Sequence, residues 1–184
     1  MEAKVNTLEE CSVARSWKNK VAKMKAGRGR IKGSSFERTI AKQLKAWWGE
    51  GSWARTPLSG GWAKGSAFSV RGDIVTTAKD FPFVVECKHY KKFPLMAAWV
   101  GKGPFWTWWK QALNQAEKLS PLLVFKANHV PILVATDNKN VIEILLYGNR
   151  KITHLYFPIE KPVVVFLWET FRKSLGREDF ENDS

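Results

Sequence analysis

Apolar residues recur at Phe36, Ile40, Leu44 and Trp47 or Trp48 before Gly49, the spacing of a helix with one buried face. The pattern then turns strand-like. Val70 to Thr77 and Phe81 to His89 read as an antiparallel hairpin turning near Lys79-Asp80, with Pro82 at a strand start or edge because it cannot donate a ladder bond. Thr107 to Leu119 reads as a helix with Trp108, Ala112, Gln115 or Ala116, and Leu119 along one side. Leu122 to Lys126 and Val130 to Ala135 are continuous apolar runs, expected as buried central strands. Val141 to Leu146 and Ile152 to Phe157 are expected as a further strand pair around Gly148-Asn149-Arg150. Pro162 and Gly176 frame a last helix through Phe166, Trp168 and Phe171, although the β-branched run Val163-Val164-Val165 allows it to begin as a strand.

Between and around these elements the pattern weakens. Residues 1–32 form a basic arm, in which Val13, Trp17, Val21 and Met24 have helical spacing before Gly27-Arg28-Gly29-Arg30 breaks it. From Arg15 to Lys45 there are eleven basic residues against the single acid Glu37, so the arm is read either as a DNA-contacting segment, through Arg28, Arg30 and Lys32, or as a dimer-packing helix. Residues 51–69 are a Gly-, Ser- and Trp-rich loop whose Arg55 and Lys64, with Arg71 just beyond, can meet phosphates. An aromatic patch holds Trp99, Phe105, Trp106, Trp108 and Trp109, most of them expected in the core. The organisation expected is an arm (1–32), a folded domain (33–176) and an acidic, frayed end (177–184).

The charge balance narrows the partner. The chain has 184 residues, is 45% hydrophobic and carries a formal net charge of +13, which suits a folded protein that meets an anionic polymer such as nucleic acid. Cys11 and Cys87 make no disulfide framework, and the scattered His89, His129 and His154 have no zinc spacing. No apolar stretch is long enough for a membrane helix and the N-terminus lacks a signal-peptide core, so a cytoplasmic location is expected, without a membrane partner.

The chemistry concentrates at Arg71-Gly72-Asp73 and Val85-Glu86-Cys87-Lys88. Strand alternation puts Glu86 and Lys88 on one side and Cys87 on the other. In the expected hairpin Asp73 lies opposite Glu86. Two carboxylates and an ammonium then converge, an arrangement suited to a Mg²⁺-dependent phosphodiesterase, with Mn²⁺ able to substitute. Asp73 and Glu86 supply oxygens, the Cys87 carbonyl can add another, and Lys88 can orient or deprotonate the attacking water. Glu37 stands three residues after Ser34, the spacing of a capping box, and can also reach the cluster as a further metal carboxylate.

The order of Glu37 on a helix, then Gly72-Asp73, then Glu86-Cys87-Lys88 resembles the PD-(D/E)xK nuclease superfamily, with Gly72 where the motif has proline. More narrowly, Gly33-Ser34-Ser35-Phe36-Glu37-Arg38, Arg55-Thr56-Pro57-Leu58-Ser59-Gly60-Gly61, Gly72-Asp73-Ile74 and Val85-Glu86-Cys87-Lys88 look like the archaeal-type (Hjc) Holliday junction resolvases and their viral relatives. The resemblance implies a restriction-endonuclease-like α/β core, a central mixed β-sheet flanked by helices. It implies a homodimer that nicks a four-way DNA junction in two strands with Mg²⁺, and no small-molecule cofactor. Carried over by position, Asp73 and Glu86 become metal ligands, Lys88 the water-orienting base, Glu37 the helix carboxylate and Ser59 a loop residue near the cleaved strand, while Arg38 and Arg55 contact DNA. A restriction-like or repair endonuclease and a non-catalytic nucleic-acid-binding module remain alternatives. If the chain is viral, the cytoplasm is the host's.

Overall fold

The computed structural model describes residues 29, 31–56, 71–147, 154–157 and 163–180. The expected arm helix, Arg28, Arg30, Ser59, Lys64 and the Gly60-Gly61 pair lie outside these residues.

Helix α1 (31–48) carries Phe36, Ile40, Leu44 and Trp48 into the core, as their spacing predicts, and it ends at Gly49. The capping box does not form. The helix already includes residue 31, and the Ser34 hydroxyl donates to the Ile31 carbonyl instead of capping the backbone.

Among the described residues, the main sheet has the order β3-β4-β5-β7-β6, from β3 (Phe83–Tyr90), β4 (Ser120–Ala127), β5 (Leu133–Thr136), β6 (His154–Phe157) and β7 (Val163–Leu167). β3 and β4 are parallel and the other pairs antiparallel, so the sheet is mixed. The parallel pair requires a crossover, and the tryptophan-rich segment makes it: α2 (Leu95–Trp99) and α3 (Pro104–Ala116) lie between the two strands. Pro104 sits in the first turn of α3, where a missing N–H costs nothing, and Glu117 at positive φ ends the helix. α3 therefore runs three residues earlier at each end than the predicted Thr107 to Leu119.

Period-two alternation covers the sheet on both faces. Val85, Cys87, Leu122, Val124 and Phe166 pack with α1, whereas Leu123, Phe125, Val163 and Val165 pack with Phe105, Trp108 and Trp109 of α3. Most of the aromatic patch is thus core, and Trp99 remains 43% exposed.

Three expectations fail. First, Val70 to Thr77 and Phe81 to His89 do not form a hairpin ladder. β2 (Ile74–Thr76) pairs with β1 (Trp53–Arg55) in a separate antiparallel ribbon, and β3 gives its ladder to β4. Second, Val141 to Leu146 is helical: α4 (Lys139–Ile142) continues into a π-turn (Glu143–Tyr147). The Asn138 side chain accepts the Val141 N–H, and this cap overrides the strand preference of the apolar run. β6 pairs with β7 instead. Third, the described part of the end expected to fray, 177–180, is docked through Phe180. After β7 and α5 (Trp168–Ser174), Arg177–Phe180 makes a 3₁₀ turn that buries Phe180 against Trp47, Trp48 and Phe83. Arg177 bridges Glu50 and Asp80, both at 2.6 Å. The strand reading of Val163-Val164-Val165 holds, with the helix starting only at Trp168. No helix among the described residues is long and apolar enough to cross a membrane.

Candidate active site

The site lies on the outer margin of β3, which among the described residues has a strand partner, β4, on one side only. Gly72 and Asp73 dock against the other side. The Asp73 N–H donates to the Val85 carbonyl (2.8 Å), and the Cys87 N–H donates to Asp73 Oδ2 (2.8 Å). Asp73 therefore faces the Val85–Cys87 stretch, and so Glu86, without a hairpin register to put it there.

Gly72 makes the approach possible. It has φ +73°, and a Cβ there would collide with the Val85 carbonyl oxygen and stand 3.0 Å from Val84 Cγ1. Proline, which fixes φ near −65°, fits this backbone no better than alanine does. The turn is anchored from β1 as well: Thr56 donates its N–H to the Asp73 carbonyl (2.9 Å) and its hydroxyl to the Gly72 carbonyl (2.8 Å).

Glu86 and Lys88 point to the α3 face, as strand alternation predicts, while the Cys87 side chain is buried in the α1 core. Lys88 Nζ donates to Glu86 Oε1 (2.5 Å) and to Gln111 Oε1 (3.0 Å), and Gln111 Nε2 donates to the same Glu86 oxygen (2.7 Å). These three bonds close a triangle between one strand and one helix. Glu86 is only 1% exposed, and its Oε2 is buried with no hydrogen-bond partner in the structure. Such an acceptor is costly unless something meets it.

Gln111 does not stand out in the sequence. It lies three residues after Trp108 and beside Ala112, both buried, so its only signal is a polar residue bordering an apolar helical stripe.

Glu37 comes from α1, on the opposite face of the sheet from α3. Its carboxylate forms an ion pair with the Arg55 guanidinium. Among the described residues no three His, Cys, Asp or Glu side chains are grouped so as to hold a metal ion, and Glu37, expected as a further metal carboxylate, meets Arg55. Arg71, expected free for phosphate, pairs with Glu117 at 2.5 Å, while Lys32 and Arg38 are exposed on α1.

Burial is the main reason that the Asp73 carboxyl is pushed up to about 6 from its ordinary 3.8. The Glu86 and Glu37 charges raise it further, against the opposing Cys87 N–H and Lys88 ammonium. Burial also drives the Cys87 thiol well above its ordinary value, with the neighbouring carboxylates adding to the effect. The thiol is thus held as S–H, and Cys87 can offer the site only its backbone. Strand geometry directs that carbonyl to the same margin as its N–H, toward Asp73.

Two carboxylates, one with an unmet oxygen, and a backbone carbonyl on a shared margin make a donor set of hard oxygens. Mg²⁺ is commonly held by one or two carboxylates while retaining several waters, so this set fits a hard divalent cation.

Residues 28–182 match the model of a protein family described as "Phage putative PDDEXK endonuclease". The chain belongs to this family. No curated protein and no solved structure matches it. Family members are nucleases of the PD-(D/E)xK type, which typically use divalent metal ions, and the mixed sheet flanked by helices is consistent with their restriction-endonuclease-like core.

Proposed function

We propose that this PDDEXK endonuclease is a Mg²⁺-dependent, structure-selective enzyme that resolves four-way DNA junctions by paired nicks. The observation that carries the hydrolytic part is the convergence of Asp73, Glu86 and the Glu86–Lys88–Gln111 triangle on the margin of β3. The junction part is supported by the Hjc-like run of Gly33 to Arg38, Arg55 to Gly61, Gly72 to Ile74 and Val85 to Lys88.

Asp73, Glu86 and the Cys87 carbonyl would hold the cation. When bound, it supplies positive charge to the phosphate oxygens and acidity to a coordinated water. Lys88 orients the attacking water and offsets negative charge as the phosphorus becomes five-coordinate. Gln111 is a positioning residue: it fixes the Lys88 ammonium and holds one Glu86 oxygen, leaving the other without a hydrogen-bond partner in the protein. Glu37, held by Arg55, adds negative potential at Asp73. Ser59 would approach the cleaved strand from the segment after β1. Dimerisation would bring two such sites to one junction.

The test uses a synthetic four-way junction and a linear duplex of the same sequences. With Mg²⁺ the junction is nicked in two strands and the duplex resists, and Glu86→Ala or Lys88→Ala abolishes cutting without loss of binding. Equal cutting of both substrates replaces junction resolution with a restriction-like or repair activity. Binding without cutting in Mg²⁺ or Mn²⁺ refutes the enzyme.

A further inference from the structure

Arg38, Lys42 and Lys45 stand at i, i+4 and i+7 on α1 and share one exposed side of the helix, next to the buried stripe. Together with Arg55 and Trp53 of β1 they line a groove of about 480 Å³ between the helix and the ribbon. Among the described residues no carboxylate lines it. Among the described residues Lys42 and Lys45 form no salt bridge, and Arg38 is steadied by donating to the Ser34 carbonyl (3.0 Å) and hydroxyl (3.2 Å). Arg55 belongs both to this groove and to the ion pair with Glu37, whose charge acts on Asp73, so this pair links the groove to the active site. Its apolar wall is fixed: the Trp53 indole donates to the Glu50 carbonyl (2.6 Å), and its ring meets Phe81 edge-on with centroids 4.7 Å apart.

We propose that this groove is a track for the sugar–phosphate backbone of DNA flanking the cleaved bond, with Lys42 and Lys45 as its outer phosphate contacts. The choice of DNA as ligand rests on the nuclease reading. Arg38 to Lys45 spans about 10 Å of helix axis at 1.5 Å per residue. Successive phosphates of one strand rise about 3.4 Å along a duplex, so the row faces about three of them. The cations make no base-specific arrangement, and the track binds backbone regardless of sequence. It sets how the strand runs through the site: from Asp73, past Arg55, then along α1 toward Lys45.

The experiment measures binding of a labelled duplex and a labelled four-way junction in EDTA, across a salt series, for the wild type, Lys42→Ala/Lys45→Ala and the charge-matched control Lys102→Ala/Lys139→Ala. Loss of two phosphate contacts lowers the slope of log K against log salt by about 1.8 and weakens binding about tenfold or more at low salt, with the control near wild type. Thermal melts of the variants verify folding; both lysines are exposed on a helix, where alanine is well tolerated. An unchanged slope, or an equal fall in the control, overturns the track. Because nothing is cut in EDTA, failure of the nuclease reading shows separately, as absent cleavage by wild type in Mg²⁺ and Mn²⁺. Cleavage with an unchanged slope removes the track alone.

Discussion

Replacing Asp73 with asparagine should abolish cleavage while making the metal-free protein more stable. A carboxyl whose folded value is about 6, against 3.8 when free, is costly to ionise in the fold. The difference corresponds to about 3 kcal/mol at pH values above both. The sign follows from the direction: a raised folded value gives stability that is full below pH 3.8 and lost as pH rises through 6. Without a divalent cation, wild type therefore gives up as much as about 3 kcal/mol from this group between pH 4 and pH 7. Asparagine is nearly isosteric, keeps an acceptor for the Cys87 N–H, and can turn its amide toward Glu86. A neutral acceptor is weaker than a carboxylate, which returns about 1 kcal/mol. A net gain of about 2 kcal/mol at pH 7.5 remains, or about 4–8 °C in melting temperature for a chain of this size. Urea denaturation of both proteins in EDTA from pH 4 to 8 measures it. The two curves should diverge as pH rises, and Mg²⁺ should narrow the gap by stabilising wild type alone. If the variant is the less stable protein at pH 7.5 in EDTA, with the same pH dependence, the cost of ionising Asp73 in its buried, acid-flanked position is refuted.

Gly72→Ala places a side chain at φ +73° against the Val85 carbonyl and should cost about 2 kcal/mol or more in urea denaturation, with loss of cleavage. Gln111→Ala should lower the cleavage rate at saturating DNA about 10- to 100-fold with DNA affinity unchanged, since Gln111 steadies Lys88 and Glu86; single-turnover and binding assays separate the two effects. Phe180→Ala should cost about 3 kcal/mol in the same denaturation assay, because its ring is buried among Trp47, Trp48 and Phe83, whereas a frayed end would show no change.

What was legible in the sequence was whatever period alone decides. The stripe of Phe36, Ile40, Leu44 and Trp48 identifies α1 and its buried side, and the apolar runs of β4 and β5 mark strands inside the sheet. Alternation correctly divided Glu86 and Lys88 from Cys87. The proximity of Asp73 to Glu86 was also legible, but for the wrong reason. The period suggests a hairpin where one backbone bond to Val85 and one bond from the Cys87 N–H to the Asp73 carboxylate do the work, and the partner of β2 is a three-residue strand too short to read. Val141 to Leu146 was misread because its apolar content is equally that of a buried helix, and the deciding cap, Asn138, is one side chain. Gln111 and the Glu37–Arg55 pair were missed because each joins elements distant in sequence through side chains of ordinary type.

The docking of Gly72-Asp73 on β3 has a consequence for how the protein behaves when it fails. Bare strand margins recruit other chains, and β3 begins with the apolar run Phe83-Val84-Val85. Asp73 occupies the Val85 carbonyl and the Cys87 N–H, so the same residue also shields this margin from intermolecular pairing. Changes at Gly72 that let the turn swing away would expose an aggregation-prone template during refolding. Precipitation of such variants would then share its origin with their loss of cleavage: the same two hydrogen bonds hold the carboxylate in place and keep neighbouring molecules off the sheet.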